Sequence, residues 1–153
     1  MEPATHNGLF YDSGLRFSCT RCSCCCRFDS GYVWLSERDL ERLCAGLGET
    51  RDQVIHNYCR AVDMAGFKQL SLDEQENYDC VFWRDGCCSV YDHRPLQCQA
   101  FPFWGPYMYS REDWDRLERS CPGVNIGRLH SREEIDAILA ERRWEPPINA
   151  DNL

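Results

Sequence analysis

The stretch Phe17-Ser-Cys-Thr-Arg-Cys-Ser-Cys-Cys-Cys-Arg27 holds five cysteines in eight residues, and the rest of the chain is interpreted around it. Four of them follow the spacing Cys19-x2-Cys22-x2-Cys25-Cys26. A Cys-x-x-Cys step lets two sulfurs bind one metal ion, while the backbone amides between them hydrogen-bond the thiolates. The same spacing occurs in zinc sites and in iron–sulfur sites. Because adjacent cysteines cannot easily point the same way, the pattern predicts either two metal centres or one multinuclear centre.

Composition and charge limit the kinds of partner that the protein can have. The chain has 153 residues, 43% of them hydrophobic, which fits one domain with a modest core. A formal net charge of −8 argues against a nucleic-acid or anionic-membrane partner, since both require a basic surface. No apolar run approaches the roughly 18 residues that span a membrane, and we expect no secretory signal in the polar first residues.

The twelve cysteines could in principle form disulfides or bind metal. Three of them are consecutive, at positions 24–26, which is awkward for disulfides because pairing between neighbours strains the backbone. Without a secretory signal, a reducing compartment is the better interpretation. We therefore expect a cytoplasmic protein whose cysteines bind metal.

Four helix starts are predicted where a serine or threonine is followed three residues later by an acidic or amide residue. These residues are Ser36, Thr50, Ser110 and Ser131. We expect the first helix to end at Gly46 and Gly48. The apolar stripe of the second continues through Cys59 and Val62 to near Gly66. Cys44 and Cys59 fall on the apolar faces of these helices, so we interpret them as buried small hydrophobic residues rather than ligands.

The strand signals are short and lie close to cysteines. Residues 31–35 and 68–72 predict strands, and residues 80–83 and 89–91 predict the arms of a hairpin that turns at 84–86. Cysteines begin both arms, so the hairpin could hold a metal rigidly. Pro95 suits the first turn of a short helix that carries Cys98, and Pro102 ends it.

The predicted fold class is α+β: a small, mainly helical single domain with short strands and a hairpin around a cysteine-rich metal core. We divide it into an N-terminal lead-in at 1–16, a metal-binding domain at 17–124, and a C-terminal helix and tail at 125–153 that pack on it.

Five cysteine motifs follow one another in a fixed order along residues 17–124. They are the cluster at 19–26, Cys80-Val-Phe-Trp, Cys88-Ser-Val-Tyr with Arg94-Pro95, Cys98-Gln-x-Phe-Pro102 and Cys121-Pro-Gly. This order closely resembles the YkgJ-type CxxCxxCC family, which is described as zinc- or iron-chelating. The resemblance implies a metal site formed by eight cysteines: Cys19, Cys22, Cys25, Cys26, Cys80, Cys88, Cys98 and Cys121. Cys24 and Cys87 are additional, and either could replace a neighbour as a ligand.

Flagellin lysine N-methylases contain a related cysteine motif, and an iron–sulfur cluster is attributed to them. That resemblance favours iron without transferring the activity, because this chain shows no Gly-rich nucleotide-binding fingerprint. Eight thiolates could form two four-coordinate sites or one polynuclear cluster. Zinc would make redox-inert structural sites, whereas iron–sulfur clusters would carry electrons.

Arg94 lies beside several predicted ligands, where it could offset the cluster charge and donate hydrogen bonds as a cofactor-binding residue. The alternative is a surface salt bridge. His93 is expected to be exposed or to lie outside the ligand set, and no cysteine has an evident partner histidine for nucleophilic catalysis.

The predicted function is a metal-binding protein that holds iron or zinc and acts in metal handling, in electron transfer or as a cluster module for a protein partner. The alternative is a metal-dependent protein-modification enzyme related to flagellin lysine N-methylation. The sequence leaves open whether the protein is an enzyme.

Overall fold

The computed structural model describes residues 8–153, which form five α-helices and six short strands. The helices are α1 (Glu37–Leu47), α2 (Arg51–Tyr58), α3 (Leu96–Ala100), α4 (Arg111–Arg116) and α5 (Arg132–Glu141). The strands are β1 (Leu15–Phe17), β2 (Cys59–Asp63), β3 (Lys68–Leu72), β4 (Trp83–Arg84), β5 (Cys87–Cys88) and β6 (Val124–His130). They form three antiparallel pairs, β1–β6, β2–β3 and β4–β5. Helix, at about 34%, exceeds strand, at about 19%, so the mainly helical α+β prediction is confirmed. Within the described residues no helix is both long and apolar enough to cross a membrane.

The four predicted helix starts are all present. Ser36, Thr50 and Ser131 each accept a hydrogen bond from the third helical residue, whose side chain bonds back to the cap amide. At α4 only the first of these two bonds forms, in which the Ser110 side chain accepts a hydrogen bond from the amide of Asp113. The first helix ends at Gly48, whose φ of 68° is left-handed, and not at Gly46, which stays helical.

The predicted end of the second helix is wrong. Cys59 leaves the helix with an extended backbone, and residues Cys59–Asp63 form β2. This strand pairs with β3 over its whole length, from Cys59 opposite Leu72 to Asp63 opposite Lys68. Pairing with β3, which begins nine residues after Cys59, therefore overrides the helical period of the apolar residues.

In two other places the paired strand is shorter than predicted. Residues 31–35 run beside β3 but form only the isolated bridge of Trp34 with Ser71. The hairpin turns where predicted, because Asp85 and Gly86 both have positive φ, as a type I′ turn requires. Its paired arms, however, are only β4 and β5, and Tyr91 starts a 3-10 turn instead of continuing a strand.

The pair β1–β6 was not predicted, and it joins the beginning of the chain to its last third. Leu15 lies opposite His130, and Phe17 lies opposite Val124. Residues 1–7 of the predicted lead-in lie outside the described part, and the domain boundaries stay predictions.

The buried side chains form two clusters. The first lies between α1, α2 and the β2–β3 pair and includes Leu35, Leu43 and Val54. The second surrounds Trp114 and Ile135, and β1 and β6 border it. Residues from both clusters line a single cavity.

Candidate metal centre

Ten of the twelve cysteines line one cavity of about 470 Å³. They are Cys19, Cys22, Cys24, Cys25, Cys26, Cys80, Cys87, Cys88, Cys98 and Cys121. All eight predicted ligands are among them, together with the two additional cysteines and Arg94. The other two, Cys44 and Cys59, are partly buried and pack against the first core cluster, as predicted. All twelve cysteines, each of which lies in the described part, are free thiols.

Four separate segments bring these thiols together, and backbone hydrogen bonds hold the segments in place. The cysteine loop that follows β1 is joined to the hairpin segment by the amide of Cys80, which donates to the carbonyl of Cys26 at 2.8 Å. The amide of Ser18 donates to Gly123 at 3.2 Å, which places the residues beside Cys19 against those beside Cys121. Helix α3 supplies Cys98.

Backbone amides act on several of the sulfurs, as they commonly do around metal-bound thiolates. The amide of Arg21 lies 3.4 Å from the sulfur of Cys19 and donates to it. At three further cysteines a backbone amide two residues along the chain lowers the thiol pKa, while burial raises it by more. These are Cys80, Cys88 and Cys121.

Burial keeps the deeper thiols protonated in the absence of metal. It raises the pKa of Cys80 to about 11 and also raises the pKa of Cys88 and Cys98. In all three, the negative charge of Cys25, which lines the same cavity, is a further cause. Metal binding at these positions would release protons, because the ligand is the thiolate.

Cys25 itself is the exception among these thiols. A hydrogen bond from the Cys26 thiol lowers the pKa of Cys25 to about 7 and raises that of Cys26. The Cys26 sulfur also lies 3.3 Å from the Ser23 carbonyl, so its single proton has two acceptors within reach. The adjacent cysteines therefore differ in their readiness to become thiolates.

Arg94 lies in the cavity wall, and no salt bridge to it forms within residues 8–153. Its Nε donates to the Tyr91 carbonyl at 2.8 Å, and its guanidinium carbon lies 3.8 Å from the centroid of the Tyr91 ring. Its charge also helps to lower the pKa of Cys25. Within residues 8–153 Arg94 therefore does not form the surface salt bridge that was the alternative interpretation.

Sequence reasoning missed Arg21, which lies inside the first Cys-x-x-Cys step. Its guanidinium carbon lies 3.9 Å from the centroid of the same Tyr91 ring. A signal was present in the sequence, since Arg21 stands between two predicted ligands, Cys19 and Cys22. Its partner ring, however, is supplied by a distant segment. His93 packs against Gly46 on α1, and neither it nor Asp92 lines the cavity.

The donor set fits a thiolate-bound metal. No three Cys, His, Asp or Glu side chains of the described residues are already arranged to hold a metal ion. The cavity nevertheless supplies ten thiols, amide donors to sulfur and a cation without a carboxylate partner. Thiols are the ligands of zinc–thiolate and iron–thiolate centres, and amides or a cation nearby would stabilise the thiolates.

Comparison with known proteins agrees with this donor set. No solved structure matches the chain. The model of the CxxCxxCC family, described as "Putative zinc- or iron-chelating domain", matches residues 18–122. The match covers more than half of the chain and contains every cysteine that lines the cavity. This chain belongs to the CxxCxxCC family.

Proposed function

We propose that the protein binds metal through eight of the cavity cysteines. They are Cys19, Cys22, Cys25, Cys26, Cys80, Cys88, Cys98 and Cys121. The observation that carries the proposal is the convergence of ten thiols, from four segments, on one cavity. A chain that needed cysteine only as a small hydrophobic residue would place it as it places Cys44 and Cys59, against the apolar core.

We propose iron, as an iron–sulfur or iron–thiolate centre, with zinc as the alternative. The Cys-x2-Cys-x2-Cys spacing is compatible with both metals, and the resemblance to the cysteine motif of flagellin lysine N-methylases favours iron. The aromatic rings of Phe101, Trp104 and Tyr107 also line the cavity, and such rings keep water from a cluster and so tune its potential. An iron–sulfur centre would supply one-electron transfer. Arg94 would offset part of the thiolate charge.

The role that follows is electron transfer or metal handling in the cytoplasm, alone or as a cluster module for a protein partner. A reducing compartment suits twelve free thiols. A second candidate is a metal-dependent protein-modification enzyme. The size of the cavity favours it, because about 470 Å³ leaves room for another molecule beside a metal centre.

Elemental analysis and visible absorption of protein purified without oxygen test the proposal. Iron with acid-labile sulfide and a brown colour is expected, and stoichiometric zinc in a colourless protein would select the alternative. Cys98→Ser should lose most of the metal, while Cys44→Ser, outside the cavity, should keep it. Wild-type protein that takes up neither metal on anaerobic reconstitution would contradict the proposal, as would equal metal contents in the two variants.

A further inference from the structure

Arg21, Tyr91 and Arg94 form a stack in the cavity wall. The two guanidinium carbons lie 3.9 Å and 3.8 Å from the centroid of the Tyr91 ring. Cation–π contacts of this kind fix an arginine without consuming its N–H donors. The stack therefore holds two positive charges in one wall.

Neither guanidinium has an acidic partner among residues 8–153. Arg94 uses only its Nε, in the bond to Tyr91, and the side chain of Arg21 makes no hydrogen bond within the same part of the chain. Arg27 and Arg42, by contrast, bind the carboxylates of Asp79 and Glu145. The Nη donors of the stack are therefore available to a molecule in the cavity.

The cavity has room for such a molecule. Its volume of about 470 Å³ lies within the range of about 300–1,000 Å³ typical of small-molecule sites. One segment, residues 91–107, supplies both Arg94 and an aromatic wall. In that wall the Trp104 and Tyr107 rings stack at 5.7 Å, and Phe101 meets Trp104 edge-on at 5.1 Å. A planar apolar group could pack against these rings.

We propose that the cavity binds a small organic anion with a planar apolar body beside the metal centre, and that Arg21 and Arg94 hold its carboxylate or phosphate group. The inference rests on the proposed function, because both use the same cavity. An oxyanion is the fitting partner, since the guanidinium fork matches its geometry and the Nη donors of Arg94 have no partner within residues 8–153.

Benzoate, with neutral benzamide as the matched control, tests the inference on metal-loaded protein. Tryptophan fluorescence and equilibrium dialysis should show saturable binding of one benzoate per chain, with benzamide about tenfold weaker, the value of one charge-assisted hydrogen bond. Arg21→Gln and Arg94→Gln should each weaken benzoate binding by about tenfold, and Arg94→Lys by less. Arg143→Gln, an exposed change outside the cavity, should leave the binding unchanged. Competition by inorganic phosphate would select a phosphate ligand over a carboxylate.

Metal content, measured on the same samples, separates the two proposals. Equal binding of benzoate and benzamide, or none of either, by protein that retains its metal would overturn the anion site and leave the metal function standing. Benzoate binding that depends on Arg94 in a protein that takes up no metal would support the anion site while contradicting the metal function. Loss of metal in Arg94→Gln with unchanged benzoate affinity would assign the arginine to the thiolates alone and overturn the inference.

Discussion

The carboxylate of Asp39 on α1 accepts a hydrogen bond from the backbone amide of Leu96, the first residue of α3, at 2.8 Å. The other oxygen of the same carboxylate accepts the amide of Ser36 at 2.9 Å and so completes the cap of α1. Asp39 is fully buried, and Arg42 balances its charge at 2.6 Å. One side chain therefore fixes the start of two helices, of which the second carries Cys98.

Asp39→Ala should lower the free energy of unfolding by about 3–5 kcal/mol, because it leaves two buried amides without an acceptor and removes one of the two carboxylates that Arg42 binds. Urea unfolding measures the change. Asp52→Ala, in the exposed first turn of α2, is the matched control and should cost less than about 1 kcal/mol. Similar losses in the two variants would show that Asp39 does not couple α1 to α3.

The Glu145–Arg42 pair should make stability depend on pH below neutrality. Arg42 donates to both oxygens of the buried Glu145 carboxylate, at 2.9 Å and 2.6 Å, and this lowers the pKa of Glu145. The ion pair therefore contributes its full stabilisation above about pH 4.3, the pKa of a glutamate in the unfolded chain. This stabilisation is lost as the pH falls through the lower pKa that Glu145 has in the folded protein. The difference in unfolding free energy between wild type and Glu145→Gln should shrink between about pH 6 and about pH 3.

Glu37→Gln provides the comparison for that experiment. Glu37 also pairs with an arginine, Arg51, at 2.8 Å, but both side chains are exposed. An exposed pair contributes less than about 1 kcal/mol, so this variant should differ little from wild type at either pH. A pH-independent effect of Glu145→Gln would contradict the assignment.

Arg27→Ala should weaken metal binding without removing a ligand. Arg27 follows Cys26, its Nε donates to Asp79 at 3.0 Å, and its guanidinium carbon lies 3.7 Å from the centroid of the Trp83 indole ring. It therefore ties the cysteine loop to the segment that carries Cys80. We expect metal affinity to fall about tenfold in a chelator competition, as for other residues that orient ligands. Arg84→Ala, in the same hairpin but exposed, should bind metal as wild type does; an equal loss there would contradict the role of Arg27.

Cys24→Ser and Cys87→Ser should keep the wild-type metal content, whereas Cys25→Ser should lose most of it. The two additional cysteines line the cavity but stand outside the proposed ligand set. The Cys87 thiol points to the Arg84 carbonyl, with a sulfur–oxygen distance of 3.6 Å. Metal analysis of the three variants, prepared in parallel, checks this set. Loss of metal from Cys24→Ser or from Cys87→Ser would show that the substituted cysteine is a ligand.

The features that were predictable from sequence depend on a few neighbouring residues. Ser36, Thr50 and Ser131 start helices because each cap is completed three residues away. The Asp85–Gly86 turn is equally local. The ligand-bearing motifs were visible because cysteine is rare and its spacing is informative.

The features that were missed depend on partners outside the few residues that set a cap or a turn. Cys59 and Val62 fit a helical stripe, and only the presence of β3 makes them a strand. Leu15 forms a strand because residues near His130 pair with it. The position of Arg21 depends on its contact with the ring of Tyr91, which lies seventy residues later in the chain. Contacts of this kind leave no periodic signal in either segment.

The β1–β6 pair has a consequence for synthesis on the ribosome. β1 ends just before Cys19, and β6 begins just after Cys121, so the pair closes the ring of segments that surrounds the cavity. The first five thiols leave the ribosome early, but their partner strand emerges only after residue 130 has been translated. A nascent chain therefore cannot close this ring until residues 124–130 have been translated, and a metal centre in the cavity would be enclosed only after that point.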